Sequence, residues 1–242
     1  MTATLSAAQT AITAELDTIG QSLTYASKQL TFTGLTGTQA EVILAALVAN
    51  STYIINAATE NLDNTIVAVA PANWSCIVGK NVGDQTYLNP NPYGEVTPSM
   101  SPVIALQSGM MGNLIAAPIF DSQNRLVGVV SVIFDPQILI GNSAASALDG
   151  KPYELIGMQL DGIMIYDSDP SQQWRNMFTD PAYQSFTELL ALGHRVVDAP
   201  SGYGTYRFNL IDSEVVVHKE CYWSTVWAFG EQWRLALNHA LR

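Results

Sequence analysis

Basic residues are scarce in this sequence of 242 residues: 10 lysines and arginines stand against 21 aspartates and glutamates, a net charge of −11. Such a chain repels phosphate backbones and anionic lipid headgroups, so no nucleic-acid partner is expected. Charge of either sign is low, at 13%, whereas hydrophobic residues reach 48%. That composition belongs to a folded globular chain. Long apolar runs are missing too. The longest, Leu126 to Phe134, reads as a buried strand and is too short for a membrane span. No basic segment leads into an apolar one at the start, so no signal peptide is expected there. Two alternatives stay open: a cytosolic protein, or an exported one whose targeting and anchoring segments flank these residues. Cysteine is limited to Cys76 and Cys221, both in strand-like runs and both expected as buried free thiols. Without a CxxC pair or a Cys/His cluster, no zinc site is expected. His194, His218 and His239 stand apart, and there is no HExxH, nucleophile elbow, phosphate loop or dinucleotide fingerprint. No catalytic residue, metal or cofactor is assigned, and the chain is read as a non-enzyme.

What is present begins with a helical pattern over residues 3–30. Leu5, Ile12, Ile19 and Ala26 repeat every seven residues, and Leu16, Leu23 and Leu30 form a second row four residues on. Two compatible roles are open for this seam: a helix that forms a homodimer or carries a signal, or one packed on its own domain. Thr38 followed by Glu41 has the form of a capping box, predicting a second helix from about Gln39 to Ala57.

Short strands follow. The pattern predicts strands at 65–70 and 74–78, turned by Pro71 and Asn73, then at 99–106, 114–120 and 125–134, with a tight turn at Asp121 to Asn124. Residues 141–150 read as a linker or short helix. The strand pattern then restarts at 153–159 and 162–166. Asp169-Pro170 and Asp180-Pro181 each open a helical turn through a cap and a proline, and the second helix is expected to end at Gly193. Strands at 204–210, 215–229 and 232–237 complete the chain. Strand, strand, helix and three strands thus occur twice. The predicted class is α+β: a long N-terminal helix and two PAS-like modules, each a five-stranded antiparallel sheet with a helical insert. The expected division is a helical stalk over 1–60, one module over 61–140 and another over 141–242.

Residues 66–85 (IVAVAPANWSCIVGKNVGDQ) and 115–136 (IAAPIFDSQNRLVGVVSVIFDP) resemble the membrane-distal module of double Cache sensors. In that family a strand ends in P-x-x-(Y/W) followed by I-x-G, and a later strand pair closes the sheet. Residues 157–193, with 202–208 (GYGTYRF) and 219–237 (KECYWSTVWAFGEQWRLAL), are similar to the proximal module of double Cache proteins of methanogenic archaea. The resemblance implies an extracellular domain at the cell membrane, held there through flanking segments. It would lie upstream of a histidine kinase, chemoreceptor or cyclase module, with a small-molecule ligand in the distal pocket. A secreted or lipid-anchored binding protein, or a dimerisation module without signalling output, is the alternative.

The amino-acid-sensing branch of that family uses an arginine on the distal helix and an aspartate on the last distal strand, suited to a carboxylate and an ammonium. Here the one distal arginine is Arg125, at a turn, and the aspartate's position holds Ile133. The distal candidates are Trp74, Gln85, Tyr87, Met100, Ser101, Ser131 and Ile133, a lining suited to a neutral or weakly polar ligand. Ordinary core is the alternative role for Trp74 and Met100. A weaker proximal set is Tyr166, Arg175, Phe178, Tyr183 and Trp223, in which Arg175 could receive a carboxylate, with simple closure of the module as the alternative. Asp167-Ser168-Asp169 lacks the further ligands of a calcium loop and is read as a helix cap at Asp169. Asn50 and Asn73 begin glycosylation sequons, meaningful for an exported chain.

Overall fold

The computed structural model describes residues 1–49, 51–83, 97–106, 110–209 and 215–241. Helix α1 runs Thr2–Thr33 and α2 Thr38–Val48, followed by strands β1 (Ile54–Asn61) and β2 (Ile66–Ala70). A 3-10 turn occupies Ala72–Ile77. Strands β3 (Ser99–Met100), β4 (Ile104–Ala105), β5 (Met111–Phe120) and β6 (Leu126–Phe134) come next. Helix α3 (Pro136–Leu148) precedes β7 (Glu154–Gln159) and β8 (Met164–Asp167). Two 3-10 turns, Pro170–Gln172 and Pro181–Tyr183, lead to α4 (Thr187–Asp198). Strands β9 (Gly202–Asn209), β10 (Val216–Ala228) and β11 (Glu231–Leu241) end the described chain. None of the described helices is long and apolar enough to cross a membrane.

The chain divides into two compact units, one of residues 15–138 with 228–231, the other of 1–14, 139–227 and 232–242. Each holds an antiparallel sheet. The first has the order β2-β1-β6-β5-β3, with β4 also on β5; the second has β8-β7-β11-β10-β9. Within each, the first two and the last three strands fall in the same spatial order, the PAS-like plan expected from the pattern.

In the first unit, alternate residues of the central strands face opposite ways. Ala57 pairs with Val132, which pairs with Ile115, so these three share one face. Ser27 of α1 donates its hydroxyl to the Pro118 carbonyl, and Thr59 donates to the Leu35 carbonyl after α1. Leu16, Leu23 and Leu30 are fully buried in this arrangement, each stabilising by roughly 2 kcal/mol. All seven residues of the heptad seam are buried within the chain. Gly20 lets the helix approach the Phe229 ring, which a Cβ would overlap.

Several local expectations change. The second helix ends at Val48, not Ala57, and β1 begins at Ile54. Its N-cap is Gly37, at φ +88°, with no side-chain cap bond. Thr38 is thereby the first helical residue, one position too late for its hydroxyl to cap. Residues 74–78 form no strand: Trp74 and Cys76 lie in the 3-10 turn, where Cys76 is exposed. Cys221 is buried, and both thiols are free. The predicted strand over 99–106 is two short ones. Residues 141–150 belong largely to α3, which Asp135 opens by accepting from the Gln137 N–H. Gly193 does not end a helix. It lies inside α4, where a Cβ would overlap the Met177 sulfur. The Asp169 and Asp180 caps are as expected, accepting from the N–H groups of Ser171 and Ala182.

Candidate functional site

In the first sheet, Asn56, Ala58 and Glu60 alternate along β1 and share a face. The register carries that face across the sheet. Ala58 lies between Val69 of β2 and Ser131 of β6; Ser131 pairs with Ala116 of β5, and Ala116 with Ser99 of β3. The middle row is therefore Val69, Ala58, Ser131, Ala116 and Ser99, small side chains that make a shallow floor. Leu114 and Ile133 flank it on one side and Val129 on the other. Trp74, Ile77 and Val82 pack over Ala58, Ile66 and Val69.

Two polar groups lie beside this floor. Glu60 is 5% exposed and accepts a hydrogen bond from the Ser131 hydroxyl at 3.2 Å. Among the described residues no cation pairs with it. Burial raises its pKa above the ordinary carboxylate range, with the Ser131 bond opposing. Asn56 is 2% exposed. Both escaped the sequence analysis: Asn56 falls at the end of the predicted second helix, and Glu60 between that helix and the next predicted strand. Read with a period of two, IINAATEN places Asn56, Ala58 and Glu60 on one side.

Of the distal candidates, Trp74, Ser131 and Ile133 come together on this face. Met100 pairs with Ile115 and so lies on the opposite one, buried. The Ser101 hydroxyl accepts from the Leu114 N–H and donates to the Pro102 carbonyl, committed to the backbone. Gln85 and Tyr87 lie outside the described residues, as does Asn50; Asn73 is exposed. Arg125 is a surface partner of Asp121, at 2.7 Å.

The second sheet is filled by its own residues. Met158, Met164, Met177, Tyr183, Tyr206, Cys221 and Trp223 form one buried cluster with Leu192 and Val196 of α4. The void left among them holds about 30 Å³, room for a water or two. Trp223 donates to the Ala199 carbonyl, with Arg195 5.7 Å from its ring centre. The Tyr183 hydroxyl donates to Gln172, and Phe178 stacks on His194 at 4.4 Å. Tyr166 lies against Gly141 of α3, apart from these. Arg175 binds the Ser171 carbonyl and approaches Asp180 at 3.6 Å. Burial pushes the Cys221 thiol up to about 12 and Asp167, beside Ile156 in register, to about 6. Among the described residues no group of acidic, histidine or cysteine side chains is arranged to hold a metal.

The two sheets share one strand order, and the first carries a row of small residues beside buried polar groups. Solved structures share the fold. An extracellular ligand-binding receptor from Desulfohalobium retbaense matches 96% of this chain at 27% identity and a TM-score of 0.75; the chain spans 39% of that receptor. The Campylobacter jejuni chemoreceptor Tlp3 sensory domain, with isoleucine bound, matches 99% of this chain and 90% of its own at 10% identity and 0.65. The ligand-binding domain of the Pseudomonas fluorescens chemoreceptor CtaA, in complex with L-alanine, matches 98% and 93% at 12% identity and 0.63. No curated protein matches the sequence. Residues 14–136, about half of the chain, match the HK/GC/chemotaxis protein-like sensor domain, and the chain belongs to that family.

Proposed function

We propose that this chain is the extracellular sensing portion of a signal-transduction receptor, of the double Cache type, and that it binds rather than transforms its ligand. The ligand is a small molecule held on the first-sheet face that carries Trp74, Ser131 and Ile133. The unit of that sheet is the membrane-distal module and the other the proximal one; membrane attachment is through flanking segments. One observation carries this reading: a row of small side chains crosses five strands beside the buried Glu60, Asn56 and Ser131. Small residues there make room, and Trp74 supplies an aromatic wall. Neighbours of the same fold are recorded with isoleucine and L-alanine bound.

The test is a thermal-shift screen of the purified chain against carboxylates, amino acids, amines, purines and alcohols. A ligand that binds only the folded state raises the melting temperature, by roughly 2.7 kcal/mol of stabilisation at a hundredfold excess over its Kd. A hit in one chemical class that Trp74→Ala abolishes is the expected result. A hit untouched by Trp74→Ala removes the ligand from this face.

A further inference from the structure

We infer that the outer edge of β9 is a strand-pairing surface for a second copy of this chain, and that two side chains of α4 hold it shut. Strand β9 is the last in its sheet and pairs with β10 on one side. On the other side α4 meets its backbone. Arg195 donates to the Tyr203 carbonyl at 2.9 Å, and Glu188 accepts from the Arg207 N–H at 2.9 Å. The Glu188 carboxylate also holds the Arg207 guanidinium, at 2.8 Å. From Glu188 to Arg195 is two helical turns, about 10.5 Å; from Tyr203 to Arg207 is about 13 Å of strand. The two side chains therefore reach both ends of one short stretch. Thr205 lies midway and is exposed. The period of two turns its N–H and carbonyl the same way as those of Tyr203 and Arg207, away from β10. The outer edges of β8 and β2 are closed differently, by main chain. Met164 of β8 bonds to the backbone of Trp174 and Arg175, and Ile66 of β2 to that of Gly79 and Lys80. Main-chain cover is part of the fold, whereas two side chains can swing away.

The edge is self-complementary about Thr205. When two β9 strands pair antiparallel across a two-fold axis, Thr205 faces Thr205 of the second copy, and each N–H donates to the other's carbonyl. Tyr203 then faces Arg207 of the second copy. That pairing needs the Tyr203 carbonyl and the Arg207 N–H, the two groups that Arg195 and Glu188 occupy. Cover and partner therefore compete for the same atoms. The side chains suit the partner as well. Tyr203, 47% exposed, lies against Tyr222 with ring centres 4.6 Å apart, its neighbour across the ladder. Arg207, once released by Glu188, brings its guanidinium to that tyrosine pair in the second copy, a cation over aromatic faces. The cover is weak by construction. The Glu188 and Arg207 side chains are 44% and 61% exposed, so water and salt screen their attraction. This surface belongs to the second sheet and does not depend on where a ligand sits.

The experiment is sedimentation of the whole chain over a concentration series, with circular dichroism and a melting curve to establish that each variant is folded. Glu188→Ala combined with Arg195→Met removes both covers and keeps an unbranched stem beside the Trp223 ring. This double variant is expected to self-associate at least tenfold more tightly than the wild type. Adding Thr205→Pro deletes the outward N–H and spares the β10 ladder, as proline on an edge strand does. Adding Thr205→Asp instead sets two like charges face to face across the two-fold axis. Each of these additions, wherever it folds, should return association to the wild-type value. Should the double variant fail to fold, Glu188→Ala alone must raise association at least threefold, with the same sensitivity at Thr205. Association that does not rise when the covers are removed overturns the inference. So does a rise that persists with Thr205→Pro or Thr205→Asp, since it then runs through another surface.

Discussion

The two sheets share a strand order but not a use for their equivalent faces. In the second, three methionines, Trp223, Tyr183 and Tyr206 fill the space against α4. In the first, the middle row is built from Val69, Ala58, Ser131, Ala116 and Ser99. One face is filled by large side chains; the other carries small ones, with Trp74, Ile77 and Val82 packed over Ala58, Ile66 and Val69. The polar groups differ in the same sense. Asp167 of the second sheet accepts the Asp169 N–H within its own turn, whereas Glu60 of the first accepts from the Ser131 hydroxyl of a neighbouring strand. A fold used twice can thus support stability in one copy and recognition in the other, since the strand order fixes the faces and the side chains fix what fills them.

The contrast breaks most visibly at the two tryptophans. Trp223 is 4% exposed in the filled cluster, so Trp223→Ala should cost about 3–5 kcal/mol in urea unfolding. Trp74, half-buried on its turn, should cost about 1–2 kcal/mol, since less of its surface leaves water. Equal losses would mean that the first face is as much a core as the second.

The next effect is electrostatic. Asp167 titrates at about 6 in the fold instead of 3.8, raised first by burial. A raised value means stability that is fully present below the ordinary value and lost as pH rises through about 6. Asp167→Asn should therefore stabilise the protein at pH 8, by about 3 kcal/mol on that shift. The gain should vanish by pH 3. Parallel pH profiles of the wild type and Asp167→Asn would remove Asp167 as the source.

A matched pair of smaller substitutions sharpens the comparison. Ala236→Leu puts three carbons into the second sheet's residual void and should cost about 1–3 kcal/mol by overpacking. Ala58→Leu, beneath Trp74, Ile77 and Val82 of the exposed turn segment, should cost less than that, because that cover can shift more easily than a helix, and should block ligand binding. The reverse order of the two losses, measured by chemical denaturation, would show that the free volume lies in the second sheet.

Much of this was legible in advance, and the failures were local. Asp169-Pro170 and Asp180-Pro181 announced their caps because an aspartate before a proline has a short-range geometric consequence. Asp121 set its turn by the same means, accepting from the N–H groups of Gln123 and Arg125. The heptad rows of α1 were visible as periodicity, and all seven of their residues are buried within the chain. The candidate site was harder. IINAATEN follows an apolar helix and contains two alanines, so a helical period could be extended through it. The strand emerges only because both its edges are hydrogen-bonded, to β2 and β6.

Composition, periodicity and cap chemistry by themselves determined a globular α+β chain, a long amphipathic first helix and a strand pattern that occurs twice. Those features depend on neighbours a few residues apart, and a linear reading contains them. Only the tertiary structure decided that Glu60 and Ser131, 71 positions apart, share a hydrogen bond. It also placed Met100 on the face opposite Ser131, and made Gly193 a contact inside a helix and not its end. Each of these is a matter of register or packing between distant strands, where a shift of one residue turns a side chain to the other face.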